Sequence, residues 1–118
     1  MNHKTLFFRA AMVGCALSLA GCATGPKPIY QWGSYQAQVY EHFKGKTAPE
    51  EQIKALEGDL QKMQATAAKA PPGFHAHLGM LYASAGQPEQ ARKSLNTEKT
   101  LFPEGTTYVD FLLAKLNK

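Results

Sequence analysis

Between residues 34 and 118, apolar side chains recur three or four positions apart in five separate stretches. The first holds Tyr35, Val39 and Phe43, with Ser34 placed as an N-cap and Gly45 as a stop. These three side chains read as the core face of a first helix. The second opens on Thr47-Ala-Pro-Glu50, the spacing of a capping box, with Pro49 in the first turn. Ile53, Leu56, Leu60 and Met63 follow as its inner face, and Gln52, Lys54, Glu57 and Lys62 as its solvated face. Pro71-Pro72-Gly73 ends it. A third helix runs from Phe74 to Ala85 with Phe74, Leu78, Leu81 and Tyr82 apolar, and Gly86-Gln87-Pro88 makes a tight turn. The fourth runs from Pro88 to Phe102 with Ala91, Leu95 and Phe102 inward, and Pro103 closes it. The fifth starts at Thr106 or Thr107, where Thr107-x-x-Asp110 has capping-box spacing, and buries Val109, Leu112, Leu113 and Leu116. No window alternates with period two, so no sheet is expected. The pattern predicts an all-α fold of antiparallel helical hairpins joined by short turns.

The third and fourth stretches carry a more specific register. Leu78-Gly79, Tyr82, Ala85-Gly86, Ala91, Leu95 and Pro103 follow the spacing of a tetratricopeptide repeat over residues 72–105. Gly79 lets the two helices approach, Tyr82 fills the space between repeats, and Ala91 permits a close crossing. Two positions depart from the pattern. Glu98 stands where a small residue is usual, and His75 stands where Trp is usual. A single such unit cannot bury its own face. The fifth stretch continues the register as a C-terminal cap, and the first two form a degenerate preceding pair. The whole amounts to a TPR-like domain of about two and a half repeats. The resemblance implies a concave groove lined by Gly73, Ala76, Met80, Ala83 and Ser84, without the Lys/Asn clamp that grips peptide carboxylates in some repeats. That groove is either a partner's site or a surface covered by the chain's own first helix.

The N-terminal 21 residues obey a different pattern. Lys4 and Arg9 precede an apolar run from Ala10 to Leu19, the layout of a secretory signal. A run of ten residues is too short to span a bilayer, which needs roughly 20. The run ends in Leu19-Ala20-Gly21-Cys22, which resembles the lipobox of bacterial lipoproteins. The resemblance implies cleavage before Cys22, lipidation of its thiol and acylation of the new amine. Ala23 follows, where an Asp would imply retention at the inner membrane, so the resemblance implies the outer membrane with the body facing the periplasm. The expected organisation is a lipoprotein signal peptide at 1–21, a lipidated tether at 22–33 and the helical domain at 34–118.

Charge changes the picture only a little. The whole chain carries a formal +4, but Lys4 and Arg9 belong to the signal, and the 97 residues from Cys22 hold 11 basic and nine acidic side chains. A net +2 without a Lys/Arg run predicts no nucleic-acid surface. Cys15 leaves with the signal and Cys22 takes the lipid, so no disulfide is expected. Stability must come from apolar packing.

No catalytic constellation is visible. There is no G-x-S-x-G, no P-loop and no catalytic cysteine. His75 and His77 are two apart and point to different helix faces, so they predict no metal pair, and His42 reads as a helix-end histidine. Five acidic residues between 41 and 59 read as solvated charge. The expectation is a protein that is not an enzyme and takes no cofactor or metal. Binding remains, with Tyr30, Trp32, Met80 and Ser84 as candidate contact residues. Tyr30 and Trp32 precede the first helix, and aromatic residues are enriched at interface hot spots.

The stretch Tyr30-x-Trp32-Gly33-x-Tyr35, followed by Tyr40 and Pro49-Glu-Glu-Gln, resembles the small proteobacterial lipoproteins of domain-of-unknown-function family 4810. That resemblance implies partners among envelope proteins: a CsgG-like lipoprotein related to the curli secretion channel, and a second small lipoprotein. It implies no known activity. The expected function is a lipid-anchored adaptor or scaffold, with a cell-wall hydrolase or a regulator of one as the alternative.

Overall fold

A computed structural model describes residues 2–4 and 25–118. Its body is five α-helices: α1 (Tyr35–Lys44), α2 (Pro49–Ala65), α3 (Phe74–Ser84), α4 (Pro88–Leu101) and α5 (Thr106–Leu116). A short 3₁₀ turn, Pro103–Gly105, leads into α5. No strand occurs among the described residues. Each helix packs chiefly on its neighbour in sequence, and α3 against α4 is the most extensive pairing. The fold is therefore all-α and built of helical hairpins, as the periodicity predicts.

The α3–α4 hairpin shows why the repeat register needs its small residues. A Cβ on Gly79 would stand 2.8 Å from Leu95 Cγ and 3.2 Å from the Ala91 carbonyl oxygen. Ala91 and Leu95 are themselves buried. The turn closes with Gly86 in the left-handed region at φ 72°, while the Gln87 N–H donates to the Tyr82 carbonyl at 2.8 Å.

The core is continuous from α2 to α4. Ile53, Leu56 and Met63 pack with Phe74, Leu78, Leu81, Tyr82 and Ala91. A smaller cluster joins Ala76, Leu95 and Val109, with Leu112, Leu113 and Leu116 packed on it. Tyr82 is buried, and its hydroxyl donates to Glu57 Oε1 across the α2–α3 contact. Burial first, then that carboxylate, push the Tyr82 hydroxyl up to about 12.

Several local expectations are corrected. Thr47 does not open a capping box. The N-cap is Ala48, and the Thr47 hydroxyl instead donates to Glu41 Oε2 at 2.8 Å. Gln52 is buried rather than solvated, and its Nε2 donates to the Thr47 carbonyl at 3.0 Å. Helix α2 ends at Ala65, before the prolines. Ala67 takes the left-handed conformation at φ 52°, and the Ala68 N–H donates to the Met63 carbonyl at 2.9 Å, a Schellman closure without glycine. Thr107 lies inside α5; Gly105 is its N-cap, and the Thr106 hydroxyl donates to the Pro103 carbonyl at 2.7 Å. Phe43 is 82% exposed, and α1 has no buried residue. The period placed the helix correctly, but nothing covers the outer end of its apolar face.

Two carboxylates expected in solvent, or unexplained by the repeat, are structural. Asp59 is 5% exposed and fastens the N-terminal segment. Its Oδ2 accepts from the Ser34 N–H at 2.7 Å and from the Ser34 hydroxyl at 2.6 Å, so Ser34 is not a side-chain cap for α1. Gly33, at φ 52°, leaves room for this carboxylate, since a Cβ there would lie 2.6 Å from Asp59 Cγ. Glu98 is 5% exposed and reaches from α4 to the start of α3. Its Oε1 accepts from the Gly73 N–H at 2.6 Å, and its Oε2 from the His75 and Ala76 N–H groups at 3.1 and 3.2 Å. The departure from the repeat pattern is thus the cap of the neighbouring helix.

Candidate functional site

The first helices of successive pairs, α1, α3 and α5, face one shallow groove of about 230 Å³. Helix α1 supplies Tyr35, Val39, His42 and Phe43, while α3 supplies Ala76, His77 and Met80 with its N-cap Gly73, and α5 supplies Tyr108. The sequence of α3 carries no Lys, Arg, Asp or Glu, so the floor is uncharged apart from its histidines. Helix α1 forms a wall of this groove rather than a lid over it.

The aromatic side chains of α1 set the wall. Tyr35 packs at 5.5 Å on Phe74 and edge-on to His77 at 6.0 Å, and Trp32 stacks on Tyr35 at 6.1 Å. Burial, followed by the charge of Glu98 and by Tyr108, raises the Tyr35 hydroxyl above its ordinary value. Phe43 and Tyr108 stand exposed at the rim. The Tyr108 hydroxyl lies 3.8 Å from Met80 Sδ.

His77 is the unusual group. It is 8% exposed, and its Nε2 is buried with no hydrogen-bond partner among the described residues. The backbone of Gln38 on α1 also acts on this ring. Burial lowers the His77 pKa below its ordinary value, reinforced by His42 and opposed by the Gln38 bond. The His42 ring stands perpendicular to it, 5.3 Å away between centroids. Periodicity gave no warning of this pair, because the two residues lie on separate helices 35 positions apart. Only the repeat register, which puts both on first helices, could have suggested it.

The four candidate contact residues do not form one site. Met80 lines the groove. Ser84 is exposed at the end of α3, where its hydroxyl donates to the Met80 carbonyl at 3.0 Å. Trp32 is 45% exposed above Tyr35. Tyr30 lies elsewhere, edge-on to Phe102 at 6.0 Å, in a second concavity of about 420 Å³ walled by Leu60, Met63, Ala70 and Leu101. Of the residues expected in the groove, Gly73, Ala76 and Met80 line it, whereas Ala83 packs toward the main core. Cys22 and the signal stretch lie outside the described residues. No helix among the described residues is long and apolar enough to cross a membrane. Among those residues no three His, Cys, Asp or Glu side chains gather as a metal site.

Nothing among the curated proteins matches the chain, and nothing among the solved structures does. A family model described as "Domain of unknown function (DUF4810)" matches residues 29–112, from the segment clamped by Asp59 into the middle of α5. The chain belongs to the DUF4810 family.

Proposed function

We propose that the protein is a lipid-anchored adaptor that faces the periplasm from the outer membrane and holds other envelope proteins. The observation that carries this reading is the groove of α1, α3 and α5. It is uncharged, walled by tyrosines and rimmed by the exposed rings of Phe43 and Tyr108. Large exposed aromatic residues around a shallow concavity suit a protein partner, whose contacts concentrate on such side chains. The anchor would be Cys22, with residues 23–29 as a tether of roughly 25 Å at full extension. Confinement to a membrane raises the effective concentration of a weakly binding surface. The family resemblance supplies the partner class, a CsgG-like lipoprotein and a second small lipoprotein.

The test is purification from detergent-solubilised membranes after cross-linking. An envelope protein should be retained, and Phe43→Ala with Tyr108→Ala should release it without changing helix content. Elution of the protein alone, before any substitution, would overturn the adaptor reading. Cys22→Ala should shift the protein out of the membrane fraction or leave it uncleaved, and unchanged fractionation would overturn the anchor.

A further inference from the structure

We propose that His42, His77 and Met80 form a binding site for one soft monovalent metal ion, copper(I). The inference goes beyond partner binding and does not depend on it. Three observations meet at one place. The first is the buried Nε2 of His77, which has no hydrogen-bond partner among the described residues. In the proposed site the Gln38 backbone takes the proton of the other nitrogen, which leaves the Nε2 lone pair for the ion. A histidine that ligates a metal characteristically gives its second nitrogen to a carbonyl in this way, which fixes both tautomer and ring orientation.

The second observation is His42. Its ring centroid lies 5.3 Å from that of His77. Two imidazoles that each bind one ion through a nitrogen at about 2.0–2.1 Å place their centroids roughly 5 Å apart at a tetrahedral angle. The spacing is therefore compatible with a shared ion. Gln38 and His42 are one turn apart on α1, so the same helix positions both the orienting carbonyl and the second imidazole.

The third is the thioether. Met80 follows His77 by three residues on α3, which puts both on one face, and both line the groove. The Tyr108 hydroxyl approaches Sδ at 3.8 Å and helps to hold it. Among the described residues no carboxylate and no thiol lines this groove. Two imidazoles with a thioether and no oxygen anion select a soft ion over magnesium, calcium or manganese.

The experiment uses the detergent-purified protein with its free thiols blocked by N-ethylmaleimide. Copper(I) is supplied under anaerobic reductant against a chromophoric copper(I) chelator. One equivalent should bind. His42→Ala and His77→Ala should each weaken binding by about 100-fold or more, and Met80→Leu, at a partly exposed position, by about 10-fold. X-ray absorption should show a copper–sulfur distance that Met80→Leu removes while helix content stays unchanged. Failure to compete with the chelator would overturn the proposal. So would undiminished binding by a folded His42→Ala protein, or a copper environment lacking sulfur in the parent.

Discussion

Replacing Glu98 by alanine removes an acceptor that three backbone N–H groups share: Gly73, His75 and Ala76. Ala76 is buried, and orphaning its N–H costs about 1–3 kcal/mol. Gly73 and His75 are partly exposed and can regain water, so each loses about 0.5–1 kcal/mol. Loss of a negative charge at the α3 N-terminus adds about 0.3–1 kcal/mol. Relief from burying a carboxylate offsets some of this. The net expectation is a destabilisation of about 2–4 kcal/mol, a large fraction of the stability of a domain this small. A domain of this size loses about 4–8 °C in Tm per kcal/mol, so the melting point should fall by roughly 10–30 °C. Urea titration and thermal melts followed by circular dichroism would measure it. Glu98→Gln keeps one acceptor oxygen and should fall between the two proteins. A Glu98→Ala protein within about 0.5 kcal/mol of the parent would refute the reasoning, since surface changes alone produce that much.

Other outcomes follow from the same geometry. Gly79→Ala should destabilise by about 1–3 kcal/mol in urea, because the clash with Leu95 and Ala91 outweighs the helix propensity gained; a stabilised protein would show that the α3–α4 contact is looser. Ala67→Gly should stabilise by about 0.5–1 kcal/mol by relieving a left-handed alanine, and any loss in the same titration would contradict that. Asp59→Ala should abolish amide-exchange protection at Ser34 while α3 and α4 keep theirs; retained protection would mean that the clamp is redundant. Burial lowers the pKa of both His75 and His77, with Glu98 opposing at His75 and Gln38 at His77. The unfolded chain therefore binds more protons just below the ordinary histidine pKa of about 6.5. Their contribution is complete above that pH and is lost as pH falls through the lower folded values, so stability should be less at about pH 5.5 than at about pH 7.5. Greater stability at the lower pH would reverse the assignment.

The helices were legible because apolar spacing is dictated by burial against an adjacent helix, and Leu56, Leu78, Leu95 and Val109 all obey it. Phe43 follows the same spacing and yet stands in solvent, because periodicity marks a face without saying whether anything covers it. The Thr47 and Thr107 motifs misled because the helices begin elsewhere: Ala48 caps α2 and Gly105 caps α5, so neither threonine stands at an N-cap. Glu98 was visible as a departure from the repeat, but its partners lie more than 20 residues away, beyond the reach of any local pattern. The same limit hid Asp59, which looked like one more solvated acid on α2, and the meeting of His42 with His77.

The fastening of residues 31–34 has a mechanical consequence. The Gln31 N–H donates to the Lys69 carbonyl at 2.8 Å, and Ser34 is held twice by Asp59 in the middle of α2. A pull on the N-terminal segment is therefore received by α2 and the α2–α3 connection before it reaches α1. Tension passes directly into the element that shares a core with α3 and α4. Helix α1, which has no fully buried residue, lies off the line of force. A tug at the leash would thus leave the wall of the groove where it stands.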